Sequence, residues 1–267
     1  MLQLLVLAVI QGITEFLPIS SSGHLVILPQ LTSWPDQGLI LDVAVHVGTL
    51  LAVLLYFCKD LFHILLGFLF PRKSAYKKYR KLGFALILAT IPVVVAGYFL
   101  HDYDLFSTRS LELVGWTTLG FGVLLYIADK ICMTVNRIEH MTYKNALIIG
   151  FFQVLALLPG TSRSGITMTG ARFLGFERAE AARFSMLMSI PTIIAAAVLT
   201  GLDLYNADDL ALTKDALTAA GIAFITALLA IWILMGWLRR SSFTPFVIYR
   251  ILLGGFLLYW VYNGPIF

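Results

Sequence analysis

The chain has 267 residues, of which 59% are hydrophobic and only 13% charged. A soluble globular domain carries roughly 25% charged residues, so this composition excludes one and specifies an integral membrane protein. The formal net charge of +4 calls for no nucleic-acid partner, because the basic excess gathers in the loops on one side of the expected spans.

The sequence begins MLQLLVLAVI and has no Lys or Arg before Lys59, so the basic n-region of a cleaved signal peptide is missing and the segment is expected to be retained. Gln11, Glu15 and Pro18 interrupt its apolar run before it supplies the about 20 apolar residues that a spanning helix needs. It is expected to enter the membrane and turn back. Candidate spans follow at Gly38 to Phe57, Leu82 to Leu100 and Leu111 to Ile131, and, after a second interrupted segment, at Phe184 to Leu202, Ala216 to Leu238 and Pro245 to Tyr262. The loop Lys59 to Lys81 holds Lys59, Arg72, Lys73, Lys77, Lys78, Arg80 and Lys81 against a single Asp60, which the positive-inside rule places in the cytoplasm. Counting outward puts His101 to Ser110 and Asp203 to Asp215 outside, Thr134 to Lys144 and Arg239 to Thr244 inside, and both termini outside. The acidic Asp203, Asp208, Asp209 and Asp215 and the basic pair Arg239-Arg240 agree with that order. Cys58 and Cys132 each lie at the end of a span, in no metal or redox spacing, and are expected to be inert thiols.

The two interrupted segments resemble each other. Pro18-Ile-Ser-Ser-Ser-Gly23 follows the first apolar run and Pro159-Gly-Thr-Ser-Arg-Ser-Gly165 the second, and each precedes three candidate spans. An odd number of spans per unit turns one unit over relative to the other, the plan of an inverted-topology repeat. The expected fold is an all-α integral membrane protein of six transmembrane helices plus two re-entrant helical hairpins, one membrane domain over residues 1–267. Repeat one covers 1–133 with its hairpin at 1–30, and repeat two covers 143–265 with its hairpin at 143–175. Broken backbone at membrane depth needs a polar lining, so the two turns are expected to approach from opposite faces and build one site. Ser and Gly can also serve helix packing alone. Against that stand Glu15, His24 and Arg163, since ionisable groups in a membrane are expensive.

Gln11 and Glu15, at i and i+4, share one helix face directed at the serine turn. The helix N-terminus after each turn, together with Arg163, makes an anion cradle, and the guanidinium fork suits phosphate oxygens. His24 directly follows Ser20-Ser21-Ser22-Gly23, where an imidazole can take a hydroxyl proton or return one to a leaving oxygen. With Ser20, Ser21, Ser162, Ser164 and Thr167 this inventory fits phosphoryl transfer, which depends mainly on positioning and charge neutralisation. Glu15 then either holds a divalent ion such as Mg²⁺ or Ca²⁺, which prefer oxygen ligands, or orients His24. Asp42 and His46 form a second i, i+4 pair, read either as a water path and support for the site or as two groups that cap one another. Arg250 is expected to snorkel to the interface.

At Gln11-Gly-Ile-Thr-Glu15 followed by Phe-Leu-Pro-Ile-Ser-Ser-Ser-Gly-His24, at Leu158-Pro-Gly-Thr-Ser-Arg-Ser-Gly-Ile-Thr167 and at Phe243-Thr-Pro-Phe-Val-Ile-Tyr-Arg250, the sequence resembles the undecaprenyl-pyrophosphate phosphatase family of the bacitracin-resistance type. The resemblance covers essentially the whole chain. It implies dephosphorylation of a polyprenyl diphosphate lipid to the monophosphate, recycling the carrier of cell-wall precursors, in the bacterial cytoplasmic membrane with the site open to its outer face. It implies Ser21 as the nucleophile, His24 as acid/base and Arg163 as phosphate clamp, with Gln11, Ser20, Ser22, Ser162, Ser164 and Thr167 lining the site. The family's leading motif position takes Glu or Gln. With Gln11 there, the metal role of Mg²⁺ or Ca²⁺ rests mainly on Glu15. Membrane lipids are the other expected partners, and a homodimer is left open. The rival class is a transporter or flippase for an anionic or polyprenyl-phosphate substrate, because inverted repeats with broken helices serve transport equally well. The serine and histidine beside a carboxylate favour an enzyme, since binding a phosphate needs no proton acceptor.

Overall fold

A computed structural model describes residues 1–32, 34, 39–100, 110–132, 134–206 and 214–264 of the chain. Among the described residues the fold is all-helical. The helices are α1 (Leu2–Thr14), α2 (Ser21–Thr32), α3 (Leu39–Tyr56), α4 (Cys58–Leu69), α5 (Lys77–Leu100), α6 (Leu111–Ile131), α7 (Tyr143–Val154), α8 (Arg163–Phe173), α9 (Arg178–Asn206), α10 (Lys214–Leu238) and α11 (Thr244–Asn263). Five of them, α5, α6, α9, α10 and α11, supply a stretch long and apolar enough to cross a membrane, and the pair α3 and α4 makes a sixth if counted as one bent span. Residues 101–109 and 207–213 of the expected outer loops lie outside the described residues.

The expected loop Lys59 to Lys81 is in part a helix. The chain bends by 76° between α3 and α4, and α4 leaves Phe62, Leu65 and Leu69 exposed while burying Ile64 and Gly67. Apolar residues on one side of a short helix with Lys59 and Asp60 at its start make it amphipathic, the composition of a helix lying in a membrane interface. Charge counting registers the lysines of this segment and passes over that periodicity.

Small residues set the helix spacing. Helix α1 packs on α10, where Gly12 abuts Ala223 and Thr226, and α7 packs on α5, where Gly150 abuts the Ala89 carbonyl. Gly48 of α3 likewise lies against Ala220 of α10. Close backbone approach of this kind is how helices associate where lipid removes the hydrophobic drive. Large apolar side chains instead point outward, among them Phe84 and Ile87 on α5 and Leu229, Trp232 and Ile233 on α10.

One buried charge cluster fastens an end of the bundle. Asp129 of α6 accepts from Arg178 (2.7 Å), lies 3.2 Å from Arg172 Nε, and accepts from the Phe243 backbone N–H (3.4 Å). Four segments are thereby tied to one carboxylate. Cys58 and Cys132 are both free thiols.

Candidate active site

Both interrupted segments form helix–turn–helix hairpins, α1 with α2 and α7 with α8, and both turns solve the same backbone problem. Ser20 and Ser162 have φ of 72° and 68°, left-handed values that cost a non-glycine residue on the order of 1–3 kcal/mol. In each turn the serine hydroxyl accepts from the backbone N–H three residues on, Gly23 at 3.2 Å and Gly165 at 3.1 Å. That bond satisfies one of the orphan donors at the start of the following helix. Each hydroxyl also meets the serine two residues on, Ser20 with Ser22 at 3.3 Å and Ser162 with Ser164 at 3.2 Å. Ser20 and Ser162 are thus the caps of their hairpins, and the residues after them, Ser21 and Arg163, open α2 and α8.

The turns touch. Ser164 Oγ donates to the Leu17 carbonyl (2.9 Å), and Arg163 Nη2 donates to Glu15 Oε1 (2.9 Å). Glu15 lies one helical turn past Gln11, and its other oxygen accepts from Gln11 Nε2 (2.9 Å) and Ser21 Oγ (2.8 Å). Glu15, Gln11, Ser21 and Arg163 are therefore one hydrogen-bonded group, with both carboxylate oxygens engaged. The second guanidinium nitrogen of Arg163, Nη1, is buried with no hydrogen-bond partner among the described residues. Glu15, Ser21, Ser22, Ser162 and Arg163 line a cavity of about 310 Å³ that Asp42 and His46 of α3 and Thr192 and Ile193 of α9 complete.

Other expected residues stand apart from this group. His24 directs Nδ1 to the Ser20 carbonyl (2.6 Å) and Nε2 to the Tyr249 hydroxyl (2.5 Å), its ring stacked on Tyr249 at 5.7 Å and 7°. The hydrogen bond of Ser21 goes to Glu15, not to His24. Thr167 is buried, bonded to the Arg163 and Ser164 carbonyls and to Ser185 Oγ (2.6 Å), so it steadies the first turn of α8 from behind.

Arg250 corrects an expectation. It does not snorkel but is fully buried, with Nε donating to the Thr118 carbonyl (3.0 Å) and Nη2 to those of Thr161 (2.9 Å), Thr117 and Gly160 (both 3.4 Å). The carbonyls of an irregular turn need donors inside a bundle, and a guanidinium fork supplies several at once. Gly160 has φ of +86°, and a Cβ there would run into Thr117 and Val114. Arg250 and α6 together hold the turn that presents Arg163. Sequence reasoning passed over Tyr249 and gave His46 no fixed role; the signals for them were the Tyr-Arg pair of the third motif and the i, i+4 spacing from Asp42.

Among the described residues no three His, Cys, Asp or Glu side chains gather to hold a metal, and both oxygens of Glu15 already have partners.

Fold and site together define a polytopic membrane protein with a Ser–Glu–Arg centre suited to an anionic group. Residues 4–256 match the family described as Bacitracin resistance protein BacA, and the chain belongs to that family. It is similar to Undecaprenyl-diphosphatase 1 of Rhodospirillum rubrum, 52% identical with 99% of this chain and 96% of that one covered. It is also 51% identical to the Undecaprenyl-diphosphatase of Ruegeria pomeroyi, over 96% of each chain. The same name is carried by a protein of Roseobacter denitrificans, 49% identical over 97% of this chain and 98% of the relative.

Proposed function

We propose that this protein hydrolyses undecaprenyl diphosphate to undecaprenyl phosphate and inorganic phosphate, recycling the lipid carrier for peptidoglycan synthesis and conferring bacitracin resistance. The observation that carries the reading is the Arg163 fork: Nη2 is held by Glu15, Nη1 is buried with no hydrogen-bond partner among the described residues, and the residue lines the cavity together with Ser21. A fork fixed at one end and free at the other is suited to a terminal phosphate oxygen. The N–H groups opening α2 and α8 add donors for the same anion. Ser21 Oγ, with its proton directed at Glu15, is the group placed to attack phosphorus or to hold the water that does. His24 is proposed as the acid/base group for the leaving oxygen, a role that requires its Nε2 to exchange the Tyr249 hydroxyl for substrate. Gln11, Ser20, Ser22, Ser162, Ser164 and Thr167 shape the two turns around the phosphates.

Were Mg²⁺ or Ca²⁺ to take part, Glu15 would be the residue to hold it, and the ion would supply neutralisation of phosphate charge. The proposed arrangement is an inverted repeat of residues 1–133 and 143–265, with six spans and a site facing the outer side of the cytoplasmic membrane. The matched caps Ser20 and Ser162 and the exchanged packing of α1 on α10 and α7 on α5 support it. The same pairing favours a second reading, a transporter or flippase. Phosphate release from a polyprenyl diphosphate by the purified protein in detergent, with and without chelator and beside a Ser21→Ala variant, separates these. Release lost in Ser21→Ala supports the phosphatase; no release from folded protein under any metal condition turns the reading to transport.

A further inference from the structure

We propose that His46, together with Glu15, positions the water consumed in the hydrolysis; the inference rests on the phosphatase reading. His46 belongs to α3, outside both motif turns, and lines the cavity with Ser21 and Arg163. Its Nδ1 lies 2.7 Å from the Asp42 carbonyl oxygen. A carbonyl only accepts, so Nδ1 carries the proton, and in the neutral ring Nε2 is an acceptor. That Nε2 stands 4.0 Å from Glu15 Oε2, the oxygen that also receives the Ser21 hydroxyl at 2.8 Å.

With Nε2 unprotonated these are two acceptors that cannot bond each other, but a group with two O–H bonds bridges them. A water oxygen about 2.8 Å from each sits next to Ser21, and with both hydrogens committed its lone pairs turn away from Glu15 and His46. They face the part of the cavity where Arg163 would hold the terminal phosphate. His24 cannot do this from its observed position, since both its nitrogens are bonded to Ser20 and Tyr249. In the net reaction the water oxygen bonds to the terminal phosphorus and the bond from that phosphorus to the bridging oxygen breaks. The lipid monophosphate leaves with the bridging oxygen and its electron pair, and both water protons finish on the inorganic phosphate. His46 is therefore a positioning residue that supplies a lone pair to the water.

The test compares wild type, His46→Ala and His46→Gln, purified in detergent, for phosphate release from a polyprenyl diphosphate, with methanol added as a competing nucleophile. In His46→Ala kcat should fall about 100-fold, the cost of a misplaced reactant, with KM within about threefold of wild type, because ground-state binding is untouched. Methyl phosphate should rise relative to inorganic phosphate, since methanol has one hydrogen and does not need the double bridge. The glutamine oxygen accepts in the same region and should restore at least about tenfold of kcat. If His46→Ala does not fold, His46→Gln decides: near-wild-type turnover and partition support the role, and collapsed turnover in folded protein overturns it. Wild-type kcat in His46→Ala overturns it as well, as do equal losses in both variants with an unchanged methanol partition, the mark of a structural residue. A wild type that releases no phosphate overturns the phosphatase reading and this inference with it.

Discussion

Replacing Arg250 with Lys keeps the charge and removes the geometry. In the native protein the guanidinium donates through Nε and Nη2 to four carbonyls, those of Thr117, Thr118, Gly160 and Thr161. Two of these distances are 3.4 Å and two are near 3.0 Å, so the strong contacts are to Thr118 and Thr161. One ammonium on a single stem cannot span α6 and the turn together, and at least one strong bond is lost. Hydrogen bonds to charged groups contribute about 1.5–3 kcal/mol each, and an orphaned buried carbonyl adds a desolvation cost of similar size. The expected loss is about 3 kcal/mol, which for a chain of this size corresponds to a fall of roughly 5 °C in the unfolding midpoint. The assay is thermal unfolding in detergent paired with phosphate release, and turnover should fall with the midpoint because the braced turn carries Ser162 and Arg163. A folded Arg250→Lys protein with an unchanged midpoint and full turnover would refute the bracing role.

Arg163→Lys should lower kcat about 100-fold despite the kept charge, because one ammonium cannot serve Glu15 and a phosphate oxygen in the fork geometry; steady-state kinetics at near-normal turnover would remove Arg163 from the phosphate site. His24→Ala should abolish phosphate release while leaving the circular dichroism spectrum unchanged, and a fully active variant would end the acid/base assignment. Gly160→Ala should cost at least about 1–3 kcal/mol, from the strained φ and the collision with Thr117 and Val114; an unaltered melting curve would show that the turn relaxes freely.

Much of the architecture was legible because it depends on short-range properties. Spans at Leu82 to Leu100, Leu111 to Ile131, Ala216 to Leu238 and Pro245 to Tyr262 all fall within helices α5, α6, α10 and α11, since hydropathy over about 20 residues is itself the cause of a spanning helix. The end of the third span at Phe57 was legible, but helix α4 (Cys58–Leu69) after it escaped, because its charged start reads as a loop. Glu15 beside Gln11 was legible from i, i+4 spacing. Arg250 was misplaced because position along a span says nothing about which neighbours surround it: the carbonyls it serves lie 89 to 133 residues away.

The sequence by itself indicated a membrane protein with two corresponding serine turns, and singled out Glu15, Ser21, His24 and Arg163 as the groups with chemistry to offer. Only the tertiary structure decided how they combine. Arg163 meets Glu15 across 148 residues, Ser21 gives its hydrogen bond to Glu15 while His24 pairs with Tyr249, and His46 enters the cavity from a helix that neither motif includes. Hydropathy and local spacing are written residue by residue, whereas the partner of a buried polar group is chosen by which helices pack together, and that choice is made by small-residue contacts such as Gly12 on Ala223 and Gly150 on Ala89.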